Sequence, residues 1–449
     1  MKYFFKKYLN CFVIIFLLII HLVLLVTLKF TAWPEMLTYP WLMLNGYKLY
    51  TDIILPYPPL LPLLLKFFYS SFGLSIISLR IFTITIIIFS DILIYLVSKN
   101  QLGKKLGIFS LIIFIFSQLF FEGNGLWFEL ASLPLLLMAL FLLQSKKLVF
   151  TGLFIGLSIL IKQNNVLFII PALLYLIFNK KSILKFCISA ILPFLTVFIY
   201  YLSKSNFNDF FYWVIYHPLF IHAKSPGFFL RPSNMQILII FAWFFPLIII
   251  WKKNLILFVW FIISLIFAFP RFGYFHLQLS VAFFSLLIPY IFNINKKIRY
   301  FLLIIYIPLI SFVFSKFILK ELGKPIRFFT SDVIETRQTL SAIIPKNSTI
   351  FFLNVSSEYF VGSELLPVKP WADNFPWYLE VSGVQEKIIN SFDKNNVQWV
   401  VYKKYNNEGK YVPGSYKPEL LDAYINNHYQ VKDKINDSIS ILQRKIDGK

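Results

Sequence analysis

Long apolar runs separated by short polar turns dominate the first three hundred residues of the chain. The runs rich in Leu, Ile and Phe that are long enough to cross, or nearly cross, a bilayer are 11–31, 75–98, 104–121, 127–144, 148–161, 165–178, 183–203, 235–251, 254–270, 274–292 and 299–318. A helix that crosses the hydrocarbon core needs about 20 apolar residues and satisfies all its backbone polar groups internally. The pattern predicts a polytopic α-helical membrane protein with about eleven transmembrane helices.

Two of these runs, 148–161 and 165–178, are short for full spans at about 1.5 Å per residue. They form either two spans or a re-entrant pair that closes at 162–165. Both alternatives leave the flanking segments on the same side of the membrane.

The first outer loop, 32–74, contains two apolar and aromatic segments that are too short to cross, 36–45 and 59–72. We expect both to lie at the membrane interface as juxtamembrane helices. Residues 1–319 would then form a transmembrane domain that carries this loop.

The tail, 320–449, is polar and mixed in charge. Strand-like runs at 349–353, 397–402 and 438–442 alternate with helix-like runs near 383–395 and 417–427. This alternation predicts a small C-terminal α/β domain.

Composition supports a membrane protein, because 58% of the 449 residues are hydrophobic and 53 are Phe. The net charge of +22 does not indicate nucleic-acid binding, since the basic residues form short clusters between apolar runs. The two cysteines, Cys11 and Cys187, offer neither a disulfide framework nor a cysteine metal site. The first apolar run lacks a small-x-small cleavage site, which favours an uncleaved first helix over a signal peptide.

The basic clusters all fall on alternate turns, and the positive-inside rule makes that side cytoplasmic. We therefore expect a multi-pass plasma (inner) membrane protein with a cytoplasmic N-terminus and an external C-terminal domain. The clusters are Lys2/Lys6/Lys7, Lys99/Lys104/Lys105, Lys146/Lys147, Lys180/Lys181, Lys252/Lys253 and Lys296/Lys297/Arg299.

Ionisable residues on the opposite face, at the mouths of helices, are candidates for chemistry, because charges at such depth usually face a cavity. They are Glu35, Asp52, Glu122, Glu129, Lys162, His217, His222, Lys224, Arg231, Arg271 and His276. Transfer of a sugar from a lipid phosphate needs a carboxylate that takes the proton of the acceptor hydroxyl and cations that neutralise the departing phosphate. Both acidic and basic side chains occur at this face of the membrane.

Structural interpretations stay open for each candidate. Glu35 and Asp52 also suit helix capping or the interface, and Glu129 also suits a structural hydrogen bond. Arg231 and Arg271 also suit the anchoring of helix ends by snorkelling. His21 and Asp91, inside predicted spans, are interpreted as structural.

The first outer loop resembles that of the GT-C glycosyltransferases, in particular the family 39-like branch related to protein mannosyltransferases and aminoarabinose transferases. The resemblance rests on Glu35, Asn45-Gly46-Tyr47-x-x-Tyr50-x-Asp52 and Pro56-x-Pro58-Pro59-Leu60. The segments 152–163 (Gly-x-x-x-Gly-Leu-x-x-Leu-x-Lys-Gln) and 270–278 (Pro-Arg-Phe-Gly-Tyr-Phe-His-Leu-Gln) are similar to later stretches of the same proteins.

This resemblance implies a GT-C-like fold, polyprenyl-phosphate sugar donors and an inverting transfer for which an acidic residue of the first outer loop is the base. Glu35 matches the second acid of the family's Asp-Glu pair, but Pro34 stands where the Asp would be. The base is therefore either Glu35 or Asp52.

We interpret the chain as an integral-membrane glycosyltransferase that moves a sugar from a polyprenyl-phosphate donor to an acceptor hydroxyl at the outer face. Lys162, Arg231 and Arg271 are the candidate phosphate contacts, and Glu122, Glu129, His217 and His276 are candidate substrate contacts. No cofactor or metal is expected, because no carboxylate or histidine cluster has convincing ligand spacing. A lipid-linked glycan ligase or polymerase and a polytopic transporter or flippase remain alternatives, and the sequence identifies neither the sugar nor the acceptor.

Overall fold

The computed structural model describes residues 2–225, 227–406 and 416–445. Most of these residues are helical. The α-helices are α1 (Lys2–Thr27), α2 (Glu35–Leu44), α3 (Leu60–Phe72), α4 (Ile76–Leu102), α5 (Lys104–Phe120), α6 (Phe128–Gln144), α7 (Leu148–Ile159), α8 (Ile169–Phe178), α9 (Ile183–Ser203), α10 (Phe207–Phe211), α11 (Asn234–Phe244), α12 (Leu247–Ile250), α13 (Leu255–Ile266), α14 (Gln278–Leu287), α15 (Lys296–Glu321), α16 (Ser331–Ile343), α17 (Pro376–Leu379), α18 (Val384–Lys394) and α19 (Glu419–His428).

Each predicted apolar run contains a helix or a bent helix pair, and the overall helical membrane character is confirmed. Within the described residues, five helices are long and apolar enough to cross a membrane, or six if the bent pair Asn234–Phe244 and Leu247–Lys253 is one span. The two parts of that pair meet at 44°, and Pro246 at the break explains the bend. The chain is thus a multi-pass membrane protein, and the count of eleven stays a prediction.

The short runs around Lys162 form two short helices rather than one continuous span. Helix α7 ends at Ile159, a 3-10 helix covers Gln163–Phe168, and α8 follows from Ile169. Lys162 has an extended backbone between α7 and the 3-10 helix. The structure therefore places this lysine at a break in the helical backbone.

The predicted C-terminal α/β segment contains a five-stranded sheet in the order β2-β1-β3-β5-β4. Its strands are β1 (Thr349–Leu353), β2 (Leu366–Pro367), β3 (Trp399–Lys403), β4 (Tyr429–Lys434) and β5 (Ile439–Arg444). Strand β1 pairs in parallel with β2 and β3, whereas β5 pairs antiparallel with β3 and β4. The three predicted strands and two predicted helices all form, but the sequence analysis missed β2 and β4. All residues of strand β4 after the first are exposed, so it lacks the alternation of buried and exposed positions that predicts a strand.

The chain divides into two compact units, each built from distant segments. The first unit comprises Met1–Thr31, Arg80–Ile199 and Leu230–Ile326. The second comprises Ala32–Leu79, Tyr200–Phe229 and Arg327–Lys449. The first outer loop and the C-terminal sheet thus belong to one unit.

The core of the first unit is almost entirely apolar and aromatic. Phe168 stacks on Trp260 with ring centroids 5.0 Å apart, and Phe120 stacks on Trp243 at 4.5 Å. Such pairs contribute beyond the area they bury. A charged residue inside this core is therefore exceptional, and the few that occur there form specific contacts.

Both predicted juxtamembrane helices form, as α2 and α3. Helix α3 exposes an apolar face that includes Phe67 and Phe72, as an interfacial helix should. Helix α2 differs, because its residues from Met36 to Met43 are all buried inside the second unit. Its apolar residues therefore pack against protein and leave no broad face for lipid.

Candidate active site

Glu35 is the first residue of α2 and follows directly on Trp33 and Pro34. Proline at the helix start supplies a suitable φ but no capping side chain, so Glu35 is the acidic residue of the first turn. Its Oε2 atom is shielded from solvent and has no hydrogen-bond partner among the described residues. A buried oxygen of this kind is available to accept a proton from a ligand.

Two carboxylates of the tail interact electrostatically with Glu35 inside the second unit. They are Glu358, in a 3-10 turn (Ser357–Tyr359) against which α2 packs, and Asp373. Burial, reinforced by the negative charge of Glu358, raises the pKa of Glu35 from 4.5 to about 7. Burial and then the charges of Glu35 and Glu358 raise the pKa of Asp373 well above its usual value. The pKa of Glu35 therefore lies near neutral pH, and that of Asp373 is raised by burial and by the neighbouring carboxylates.

The sequence analysis missed Glu358 and Asp373. Both lie in the tail, more than three hundred residues from Glu35, and no motif marks them. The only hint was the unusual Pro34, which leaves the first loop one acid short of the family pattern. Within the described residues, no three His, Cys, Asp or Glu side chains are arranged to hold a metal ion.

Asp52, the other candidate base, is in a different environment. Its Oδ2 atom accepts a hydrogen bond from the Lys48 backbone N–H at 3.0 Å and lies 3.1 Å from the Lys369 ammonium. Its backbone carbonyl accepts from the Trp371 N–H at 2.7 Å, and the Ile54 N–H donates to the Trp371 carbonyl at 2.9 Å. Asp52 thus has a structural role, since its side chain and backbone bind the first outer loop to residues 369–371 of the tail.

Aromatic contacts reinforce this join between the loop and the tail. The Tyr39 ring meets Trp371 edge-on at 5.8 Å, and the Tyr47 hydroxyl donates to the Pro367 carbonyl. The ammonium of Lys369 also lies 4.3 Å from the centroid of the Tyr47 ring, a cation–π distance. Glu35 is therefore presented by a loop that the C-terminal residues hold in place.

A second group of candidates meets inside the first unit. The Lys162 ammonium and His276 Nδ1 both contact Glu129 Oε1, each at 2.5 Å. Glu129 is fully buried, and its Oε2 atom has no hydrogen-bond partner among the described residues. The sequence analysis placed Lys162 at the donor phosphate and Glu129 at substrate, and the structure shows that they neutralise each other.

Arg231 and Arg271 belong to neighbouring extended segments of the same unit. The Leu230 N–H donates to the Pro270 carbonyl at 3.1 Å, and the Phe272 N–H donates to the Leu230 carbonyl at 2.9 Å. The segment with Arg271 continues into the 3-10 helix Tyr274–Leu277, which carries His276. The two segments that carry Arg231 and Arg271, which are distant in the sequence, are therefore hydrogen-bonded to each other through their backbones.

The remaining candidates have dissimilar environments. Glu122 is exposed and adopts a left-handed conformation, with φ of 55°. His217 is fully buried in a π-helix (Tyr212–Ile221), and its Nε2–H donates to the Trp377 carbonyl at 3.2 Å. Burial lowers the pKa of His217 to about 4, so this ring is neutral at physiological pH. His217 is packed inside the second unit, and its role as a substrate contact stays a prediction.

The chain matches a family model described as dolichyl-phosphate-mannose-protein mannosyltransferase over residues 57–205. Its fold is similar to the crystal structure of ArnT from Cupriavidus metallidurans bound to undecaprenyl phosphate. That match has a TM-score of 0.64 and 10% identity over 96% of this chain and 98% of that one. The apo state of the same protein matches with a TM-score of 0.63 and 11% identity over 98% of each chain. The chain therefore shares its fold with ArnT, and residues 57–205 match the mannosyltransferase family model.

No curated protein sequence matches the chain. The resemblance drawn from the first outer loop is confirmed by the family match and the shared fold, which support a membrane glycosyltransferase of the GT-C type. At 10% identity the structural likeness concerns the fold, and the individual site residues are argued from their own geometry.

Proposed function

We propose that this GT-C protein is an inverting glycosyltransferase that moves a sugar from a polyprenyl-phosphate donor to an acceptor hydroxyl at the outer membrane face. Glu35 takes the hydroxyl proton while the acceptor oxygen attacks the anomeric carbon. The bond from that carbon to the phosphate oxygen breaks, and polyprenyl phosphate leaves with one additional negative charge. A general base is needed because a neutral hydroxyl is a poor nucleophile.

The observation that supports this proposal most strongly is the contrast between Glu35 and Asp52. A base works best when its pKa is close to the operating pH, and that of Glu35 is about 7. Glu35 also has a buried oxygen without a hydrogen-bond partner among the residues that the structure describes, whereas Asp52 is bound to Lys369 and to a backbone N–H. We therefore choose Glu35 as the base and give Asp52 a structural role.

Lys162, Arg231 and Arg271 are the proposed contacts of the donor phosphate. Arginine suits phosphate because its fork can donate two parallel hydrogen bonds, and lysine adds a compact charge. Glu129 and His276 would orient Lys162 and contribute to the polar lining of its surroundings. The undecaprenyl phosphate bound to the similar ArnT structure supports a lipid phosphate as the ligand class.

The proposed topology has eleven spans, a cytoplasmic N-terminus and the C-terminal sheet outside. It follows from the agreement of the basic clusters with the positive-inside rule. A reporter fused after Ser145 should be cytoplasmic and one fused after Arg444 external. The same location for both reporters would contradict this topology.

The test of function uses the full chain reconstituted in lipid with a set of undecaprenyl-phosphate sugars. The assay measures release of undecaprenyl phosphate in the presence of membrane extracts that supply the acceptor. Wild type should release the lipid phosphate from at least one donor, and Glu35→Gln should lower the rate by about a hundredfold or more. Equal rates in both proteins, or full activity in Glu35→Gln with none in Asp52→Asn, would reject Glu35 as the base.

A further inference from the structure

We propose that a buried group of His21, Asp91 and Gln118 is a positioning device, which holds the 121–125 loop and, through it, the segment that carries His276. The phosphate-binding part of this inference rests on the proposed function, whereas the positioning itself does not. His21 belongs to α1, Asp91 to α4 and Gln118 to α5, and all three side chains are fully buried. Nothing in the proposed chemistry uses them.

The hydrogen bonds of this group link α1, α4 and α5. Gln118 donates from Nε2 to the Gly123 carbonyl at 2.9 Å, so its Oε1 faces His21, whose Nε2 lies 3.2 Å away. His21 Nδ1 lies 2.8 Å from Asp91 Oδ2. Both ring nitrogens of His21 therefore face oxygen atoms, Oε1 of Gln118 on one side and Oδ2 of Asp91 on the other.

Gln118 is in close contact with the loop that follows α5. A Cβ atom added to Gly123 would lie 2.3 Å from Gln118 Nε2, so only glycine lets the loop backbone approach so closely. The next residue, Asn124, donates from Nδ2 to the carbonyls of Leu25 and Lys29, both at 3.1 Å. The loop is thus bound to Gln118 on one side and to the end of α1 on the other.

The path continues from this loop to the proposed phosphate contacts. Gln278, the first residue of α14, donates from Nε2 to the Phe121 carbonyl at 2.7 Å. Two residues earlier, His276 contacts Glu129, which also holds Lys162. Buried polar contacts, joined through the backbone at 121–123 and 276–278, therefore lead from Asp91 to Lys162 within the first unit.

A simpler role would be adhesion between helices, since polar side chains often join helices in membranes. The two roles differ in what is lost when the group is removed. Adhesion alone predicts a change in stability and no specific change at the loop. Positioning predicts a loosened loop even where the helices still associate.

The test replaces His21 and Asp91 with apolar residues in the double variant H21L/D91L. Removing both partners avoids leaving one buried polar group unpaired, and such replacements often preserve the fold. The matched control is S98A/S110A, which removes a buried hydrogen bond of 2.7 Å between α4 and α5 that does not touch the loop. Hydrogen exchange of the full-length proteins in detergent, followed by mass spectrometry, is measured over 119–127 and 270–278.

We expect H21L/D91L to exchange faster in both segments by about tenfold, the factor for one or two lost hydrogen bonds, while the control is unchanged. Normal exchange in a folded H21L/D91L would overturn the proposal. If that variant does not fold, Gln118→Glu and Gln118→Met give the answer instead. The carboxylate keeps an acceptor for His21 but cannot donate to Gly123, so both variants should loosen the 119–127 segment, and protection retained in Gln118→Glu would refute the link.

Affinity for undecaprenyl phosphate provides the second readout. It should fall by about tenfold in H21L/D91L and remain unchanged in S98A/S110A. Unchanged affinity in H21L/D91L would overturn the extension to the phosphate contacts. Absence of binding by wild type would instead contradict the proposed donor, and the exchange experiment would still decide whether the group positions the loop.

Discussion

The Lys162 ammonium lies 2.5 Å from Glu129 Oε1, in a pair of which the carboxylate is fully buried. The cation proposed for the donor phosphate is thus already beside an anion. A lysine ammonium has three N–H donors, so it can contact a phosphate oxygen while Glu129 remains bound. The pair as a whole is neutral, and attraction of a phosphate then depends on how Lys162 is oriented and on the arginines.

Removing one partner of this pair should be more harmful than removing both. Glu129→Gln leaves a buried positive charge without its anion, which typically costs about 3–5 kcal/mol. The double variant E129M/K162M should recover most of the thermal stability but bind undecaprenyl phosphate weakly. Glu364→Gln is the control, since its exposed pair with Lys346 should contribute less than about 1 kcal/mol. Wild-type stability in Glu129→Gln, measured by thermal unfolding in detergent, would show that the pair is not ionic.

The rate of transfer should depend on pH through Glu35. Only the ionised carboxylate can accept a proton, so kcat/KM should rise as pH increases through about 7 and level off above it. Asp52→Asn should retain this profile, because Asp52 has a structural role. A rate that is flat from pH 5 to 8 in wild type would contradict the assignment.

Changing a neighbouring carboxylate should move that profile. The charge of Glu358 adds to the effect of burial in raising the pKa of Glu35. Glu358→Gln should therefore shift the rising part of the pH–rate curve to lower pH, whereas the exposed Glu364→Gln should leave it in place. A shift to higher pH would show that Glu358 interacts with Glu35 in another way.

The raised pKa of Glu35 should also make the thermal stability of the protein depend on pH, which can be measured without an activity assay. Folding raises the pKa of Glu35 from 4.5 to about 7, so burial of the ionised carboxylate destabilises the folded state. The free energy of unfolding therefore falls as pH rises from about 4.5 to about 7. Glu35→Gln should therefore have a higher Tm than wild type at pH 8. This difference in Tm between Glu35→Gln and wild type should shrink as pH falls from about 7 to 4.5 and disappear below pH 4.5. A variant that is less stable than wild type at pH 8 would argue against a buried, ionised Glu35.

The elements with a strong periodic signal could be predicted from the sequence. The apolar runs became helices, and strands β1, β3 and β5 formed within two residues of their predicted positions because each alternates or is continuously apolar. Strand β4 could not be predicted, since Gln430 to Lys434 are all exposed and only Val431 among them is apolar. Its position is determined by pairing with β5, which is a tertiary effect.

The chemistry of single residues was predictable, but their partners were not. The sequence marked Glu35, Glu129, Lys162 and His276 as unusual for a membrane protein, since charges there are costly. It could not show that Glu129 joins Lys162 to His276, or that Asp373 and Glu358 interact with Glu35. These contacts join residues from distant parts of the chain, and no local spacing encodes them.

The arginines provide the most direct test of the phosphate site. The backbone bonds of Leu230 to Pro270 and Phe272 bring the segments of Arg231 and Arg271 side by side. A charge-assisted hydrogen bond to phosphate is worth about 1.5–3 kcal/mol, so Arg271→Ala should weaken undecaprenyl-phosphate binding by about ten- to a hundredfold. Arg271→Lys should recover only part of this affinity, because a point charge replaces a fork that can form two parallel bonds.

An arginine that only anchors a helix end should behave differently, and the chain offers one as a control. Arg299, near the start of α15, donates from Nη1 to the Phe292 carbonyl at 3.2 Å. Arg299→Ala should lower the yield of folded protein without changing lipid affinity, and lysine should restore the yield. If Arg271→Ala shows this same pattern when detergent-extracted yield and undecaprenyl-phosphate affinity are measured side by side, then Arg271 is an anchor. A loss of affinity at normal yield, only partly restored by lysine, places Arg271 at the phosphate.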